Sequence, residues 1–234
     1  MSERLVILIT GTRKGIGRYL AQYYVEKGYS VIGCSRQESA YHDDNYQHFC
    51  LDITDERAVL KMFKELKKTY KRLDCLINNA GIASMNHCLL TPVQTVRKVL
   101  DTNITGSFLM AREATKLMLN NRWGRIVNFA TIATPLKLEG EAIYASSKSA
   151  IISLTQIMAK ELAEYNITVN AIGPTPIKTD LIAGVPPEKI ERLLQSQAIH
   201  RWGEFQDIAN VLNFFIQPES DFITGQVIFL GGIS

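Results

Sequence analysis

Apolar positions in this chain alternate between two patterns. Short runs rich in Val and Ile fall at Leu5–Thr10, Ser30–Ser35, His48–Leu51, Asp74–Asn78, Arg125–Phe129, Thr168–Ile172 and Gln226–Leu230. Most do not alternate with polar residues, which suits strands covered on both faces of a parallel sheet. Between them, helical periodicity predicts helices near 15–27, 54–69, 92–119, 144–165 and 204–216. The second opens with Thr54 as its expected N-cap, and Asp55 and Glu56 in the first turn suit the helix dipole. Gln37 to Gln47 is barely long enough for a crossover, so its helix is expected to be vestigial. Strand–helix alternation throughout predicts a doubly wound α/β sheet.

Composition narrows the classes. The 234 residues are 46% hydrophobic and 21% charged, and 26 basic against 23 acidic side chains give a net charge of +3. No basic stripe or arginine-rich arm points to nucleic acid. The run Leu5–Ile9 is far short of a membrane span and leads into Gly11 without a signal-type cleavage site, so a cytoplasmic protein with no membrane partner is expected. Cys34, Cys50, Cys75 and Cys88 lack metal-ligand spacing and read as buried, reduced thiols. No metal site is expected.

The first strand leads into Thr10-Gly11-Thr12-Arg13-Lys14-Gly15-Ile16-Gly17 and an amphipathic helix. Gly11 would allow the tight turn, Gly15 the approach of backbone to a pyrophosphate, and Gly17 the packing of helix on strand. The helix N-terminus would present N–H groups and a positive dipole end to phosphate. A glycine-rich turn used only for packing is the plain alternative. The second strand ends in Ser35-Arg36, where dinucleotide sites often carry an acid for the ribose 2′-hydroxyl. Arg36, backed by Lys14 or Arg13, could instead grip a 2′-phosphate. NADP(H) is therefore expected over NAD(H).

The spacing of the turn resembles the T-G-x-x-x-G-x-G of the short-chain dehydrogenase/reductase family. The likeness runs nearly end to end. Asn78-Asn79-Ala80-Gly81 matches the family's N-N-A-G, and Tyr144-Ala145-Ser146-Ser147-Lys148 matches its Y-x-x-x-K. The resemblance implies one Rossmann-like domain over residues 1–234, with about seven strands in the order 3-2-1-4-5-6-7 and helices on both faces. It implies that Asp52 with Ile53, and Asn79, Ala80 and Gly81, line the adenosine side. It gives Tyr144 as general acid/base and Lys148 as its partner, binding the nicotinamide ribose. Asn103 matches an asparagine at a break in a long helix, holding a water beside the lysine. Pro174, Ile177 and Thr179 match residues around the nicotinamide carboxamide.

A tyrosine with its ordinary pKa of about 10 donates a proton at neutral pH. Acting as base for the reverse reaction needs about three units of depression, of which a nearby cation supplies one to three. Lys148 is expected to supply it, with carbonyl reduction as the working direction. Three departures stand out. Thr131 replaces the family serine and is taken as its functional equivalent through its hydroxyl. Thr175 replaces a glycine and is expected to narrow the substrate entrance. Leu230 replaces an aspartate before Gly231-Gly232, with changed local packing expected.

Residues 174–203 are expected to form a substrate lid. Lys137, Glu139, Glu141 and His87 could reach a polar substrate, and Met85, Leu136 and Leu138 could floor an apolar one. The expected function is NADPH-dependent interconversion of a small carbonyl compound and its secondary alcohol. The alternatives are a β-ketoacyl-acyl-carrier-protein reductase, suggested by Ile223-Thr224-Gly225-Gln226-Val227, and a catalytically inactive dinucleotide-binding scaffold. The long helices imply a homodimer or homotetramer.

Overall fold

The Val- and Ile-rich runs pair side by side in one all-parallel sheet. The computed structural model describes residues 4–233. Its strands are β1 (Val6–Thr10), β2 (Ser30–Ser35), β3 (Tyr46–Cys50), β4 (Cys75–Asn78), β5 (Gly124–Phe129), β6 (Ile167–Gly173) and β7 (Val227–Phe229). They lie in the order β3-β2-β1-β4-β5-β6-β7, and every pair is parallel. The central strands β1, β4, β5 and β6 are buried along their whole length.

Both faces are covered by helices whose buried side chains recur at three- and four-residue spacing. On one face lie α1 (Gly15–Glu26) and α8 (Phe205–Ile216), through Leu20, Tyr24, Ile208, Leu212 and Phe215. On the other lie α2 (Glu56–Thr69), α4 (Ser107–Met118) and α6 (Ala142–Leu162), through Val59, Phe63, Leu66, Met110, Ala114 and Met158. The chain reverses its winding at β1, where β2 and β4 depart to opposite sides. A cleft opens beyond the carboxyl ends of the strands at such a switch point.

Several local expectations are corrected. The N-cap of α2 is Asp55, not Thr54. The Asp55 carboxylate accepts from the amides of Arg57 and Ala58, while Thr54 is drawn back to Asp52. The predicted helix 92–119 is three pieces: α3 (Val93–Leu100), a π-helical turn at Asp101–Gly106, and α4. Strand β3 begins at Tyr46 because its pairing with β2 starts there. No helix forms between Gln37 and Gln47. Cys34 and Cys75 are buried, but Cys50 and Cys88 are exposed. A short α5 (Ala133–Leu136) follows β5, and within 174–203 stands a well-formed α7 (Pro187–Gln195), which buries Ile190 and Leu194. No helix among the described residues is long and apolar enough to cross a membrane.

Asp74 closes the edge of the β1–β4 pair. Its buried carboxylate accepts from the Val6 amide at 2.7 Å and from Arg72 at 2.7 Å. Replacing it strands a buried N–H and removes one partner of the largely covered Arg72. Asp74→Ala is therefore expected to destabilise the fold by about 3 kcal/mol, read as a shift in the urea midpoint.

Candidate active site

The phosphate end of the cleft is built on backbone. Gly11 and Gly15 have φ of +78° and +58°, a region that L side chains rarely adopt. The amide of Gly11 donates to the Cys34 carbonyl at 2.7 Å, which ties the turn to β2. The Asn79 amide donates to the Thr10 carbonyl at 2.8 Å, and the Ala80 N–H donates to the Thr10 hydroxyl at 2.8 Å. A side chain on Gly17 would collide with the Gly11 carbonyl. Gly11, Arg13, Lys14, Gly15 and Ile16 face the cleft, where the amino end of α1 opens. Thr12 and Gly17 do not line it. The Thr12 side chain is buried and accepts from the Tyr46 hydroxyl at 2.9 Å, so its part is to hold the turn down.

Beside the glycine turn, Arg36, Asp52, Ile53, Asn79, Ala80 and Gly81 line the cleft. Arg36 is exposed. Asp52 uses one carboxylate oxygen, Oδ1, for both the amide and the hydroxyl of Thr54. Lys14 reaches Asp180 at 2.5 Å, so an exposed ion pair spans from the glycine turn to the loop after β6. The cleft continues past Pro174, Ile177 and Thr179 to Tyr144, enclosing about 1570 Å³.

The chemical end combines the tips of β4 and β5 with the first turns of α6. Tyr144, Lys148 and Thr131 all line the cleft. Thr131 stands close enough to Tyr144 for its hydroxyl to oppose the rise of the phenol's pKa, and it accepts from the Ala133 amide at 3.3 Å. The Lys148 ammonium donates to the Phe129 carbonyl at 2.6 Å. Gly81 makes room for it, since a Cβ there would lie 3.3 Å from the Lys148 Nζ and 3.2 Å from the Asn103 Oδ1.

Electrostatics here differ from expectation. Burial pushes the Tyr144 phenol up to about 12, opposed by the Thr131 hydrogen bond and reinforced by Glu141. Burial also brings Lys148 down to about 8. The expected depression of the phenol by Lys148 is absent, because desolvation dominates and the ammonium is engaged with the strand carbonyl.

Asn103 is fully buried in the π-helical turn. It accepts from the Ile82 amide at 2.9 Å and donates to the Ile82 carbonyl at 3.0 Å and the Ser147 hydroxyl at 2.9 Å. Its visible work is to clamp the loop after β4 against α6. Ser147, which the sequence reading passed over, relays that clamp by donating to the Tyr144 carbonyl at 2.7 Å. Its place three residues after the tyrosine, on the same helical face, was the available signal. Thr175 lines the cleft and is buried against Gly203 and Gly231, where its side chain fills space that a Cβ on either glycine would need. Leu230 packs with the α1–α8 core.

These residues fit an extended dinucleotide. Two positive-φ glycines, a Cβ-free helix start and a continuous cleft lead from Arg36 to Tyr144. A family model described as enoyl-(acyl carrier protein) reductase matches residues 11–232. The chain belongs to the short-chain dehydrogenase/reductase family, and is an oxidoreductase. It is 34% identical over 235 residues to the 3-oxoacyl-acyl-carrier-protein reductase FabG of Staphylococcus aureus, covering 96% of each chain. It is 33% identical over 237 residues to the NAD-dependent glycerol dehydrogenase of Listeria innocua, covering 97% of this chain and 92% of that one. Among solved structures, ElxO with NADP bound superposes with a TM-score of 0.88 at 31% identity, covering 97% of both chains. Members of this family bind NAD(P)(H).

The low Lys148 pKa has a consequence for stability. Between about 8 and its ordinary 10.5 the unfolded chain holds a proton that the folded chain has released, so this group favours folding more as pH rises. A Lys148→Met variant lacks the effect, and all other groups cancel in the comparison. The wild type is expected to gain on the order of 3 kcal/mol relative to the variant from pH 8 to 10.5, measured by urea melts.

Proposed function

We propose that this protein reduces a small carbonyl compound to its secondary alcohol with NADP(H), with Tyr144 delivering the proton. The observation that carries the reading is the convergence of Tyr144, Thr131 and Lys148 at one end of a cleft whose other end is the glycine turn. Bound there, the nicotinamide nucleotide would supply the hydride.

The chain's own residues divide the remaining work. Gly11, Gly15 and Ile16 hold the pyrophosphate. Asp52, Ile53, Asn79 and Ala80 bound the adenosine. Pro174, Ile177 and Thr179 hold the carboxamide, and Lys148 the nicotinamide ribose. Thr131 and Tyr144 hydrogen-bond the substrate oxygen, and Tyr144 gives up its proton as the alkoxide forms. A phenol held near 12 is protonated at neutral pH, which supports reduction as the working direction. Asn103, through Ser147, positions the helix that carries Tyr144 and Lys148.

Preference for NADP(H) over NAD(H) is supported by exposed Arg36 directly after β2, where no acid stands, with Arg13 and Lys14 on the neighbouring turn. Residues 174–203 act as the substrate lid of one domain. The exposed Phe108 on α4 and Ile157 on α6 support a homodimer or homotetramer, in a cytoplasmic setting.

A second reading, reduction of β-ketoacyl groups on an acyl-carrier protein, is favoured by the relatives' names. Against it, Lys189 and Arg192 on α7 are interleaved with Glu188 and Glu191, which makes no basic docking face. The scaffold reading is disfavoured because Tyr144, Lys148 and Asn103 are all present and assembled.

Four variants test the proposal. Tyr144→Phe is expected to lower kcat by about two to four decades. Thr131→Ala is expected to lower it by roughly one decade or more, with Thr131→Ser retaining activity. Arg36→Ala should weaken NADPH binding by about tenfold or more while changing NADH binding little. Equal losses for both nucleotides would remove Arg36 from the 2′-phosphate. Turnover of ketones but not acyl thioesters would separate the two readings.

A further inference from the structure

The segment that carries Arg36 is fastened to the edge strand β3 and its flank by its carbonyls. The Ser35 carbonyl accepts from the Leu51 amide at 2.8 Å, and the Arg36 carbonyl accepts from the Cys50 thiol at 3.3 Å. The Gln37 carbonyl accepts from the Ser35 hydroxyl at 2.7 Å and lies 3.2 Å from His48 Nε2. Ser35, Arg36 and Gln37 all line the cleft. The groups that hold these three carbonyls therefore fix the base from which the Arg36 side chain extends.

His48, on β3, reaches in two directions. Nε2 faces the Gln37 carbonyl and lies 3.1 Å from the Ser35 Oγ. A carbonyl only accepts, so Nε2 carries the ring proton. Nδ1 lies 2.8 Å from the Tyr46 hydroxyl, the group that holds Thr12 of the glycine turn. Gly33 of β2 admits this arrangement, since a Cβ there would collide with the Tyr46 and Thr12 hydroxyls. Burial lowers the His48 pKa, against the opposing pull of the Gln37 carbonyl and Glu38. The ring is neutral at pH 7, and its single N–H is committed to the carbonyl. His48 itself does not line the cleft. It ties the Arg36 segment to the glycine turn from outside.

A guanidinium grips a phosphate through N–H groups fixed in one plane, so it tolerates little displacement of its base. NADPH presents a phosphate where NADH presents only a hydroxyl. We propose that His48 is a positioning residue for nucleotide choice, holding the Ser35–Gln37 turn so that Arg36 meets the 2′-phosphate of NADP(H), while contributing little to NAD(H). The inference rests on the reading of Arg36 as the residue that grips that phosphate.

Dissociation constants for NADPH and NADH, read from nucleotide fluorescence on the whole chain, test it. His48→Leu keeps the bulk of the ring, and the Gln37 carbonyl keeps the Ser35 hydroxyl. This variant is expected to weaken NADPH by about fivefold or more and NADH by less than about twofold. His48→Gln, which restores an N–H at that reach, should bind both nucleotides within about twofold of the wild type. In an Arg36→Ala background, His48→Leu should cause no further NADPH-selective loss, because the two side chains act through one contact. Equal losses of both nucleotides, unchanged NADPH binding, a Gln variant as weak as Leu, or additive losses in the double variant overturns the proposal. A melting point several degrees lower with an unchanged NADPH/NADH ratio marks a role in stability alone and also overturns it. Arg36→Ala by itself separates the two levels of inference. Without an NADPH-selective loss there, the 2′-phosphate reading falls and takes this inference with it; with one, an unselective His48→Leu defeats the inference about His48 only.

Discussion

A buried ammonium is the constraint around which the chemical end of this protein is arranged. Lys148 is held by the Phe129 carbonyl at the tip of β5, and Gly81 leaves it room, since a Cβ there would crowd the ammonium at 3.3 Å. An ammonium out of water demands a strong acceptor, and a strand-end carbonyl without a ladder partner supplies one. The geometry locks the first turns of α6 to the ends of β4 and β5. Tyr144 rides on the same turns, so its placement follows from how the lysine is satisfied. In this state desolvation acts on both groups, raising the phenol and lowering the ammonium.

A chain of buried amides carries that arrangement across the sheet. Asn78 donates to the Asn128 side chain and to the Ser107 carbonyl, and Asn128 donates to the Thr155 hydroxyl. One network thus joins β4, α4, β5 and α6. Asn79 continues it by fastening the glycine turn to β4, and Asn103 clamps the following loop to α6. The donors of this network are paired, though the buried Asn78 Oδ1 accepts no hydrogen bond among the described residues, and any shift would leave a buried donor unmet. The glycine turn and Tyr144 sit at opposite ends of the same scaffold and are registered by it.

The departures from the family pattern fall where packing can absorb them. Thr175 fills space between Gly203 and Gly231, and Leu230 joins the neighbouring apolar core. Thr131 differs in kind, because it lines the cleft beside Tyr144 and its hydroxyl acts on the phenol's pKa. Thr175 is matched by neighbouring glycines, and Thr131 keeps a hydroxyl where the family has a serine.

Much of this was written in the sequence. Runs of Val and Ile too apolar for one-sided strands dictated a sheet buried on both faces, and the glycine spacing after β1 dictated the phosphate turn. Both depend on short-range rules: the alternation of side chains along a strand, and the steric freedom of a residue without Cβ. The boundaries that failed were those where a neighbour outbid local preference. Asp52 took Thr54 from the cap of α2, Ile82 and Ser147 drew Asn103 into a π-helical turn, and Thr12 turned inward to Tyr46. Only the tertiary structure could decide protonation and partnership, since desolvation depends on what the fold packs around a group. Spacing placed Tyr144 and Lys148 on one helix face. Burial, and the carbonyl that the lysine found, set their pKa values.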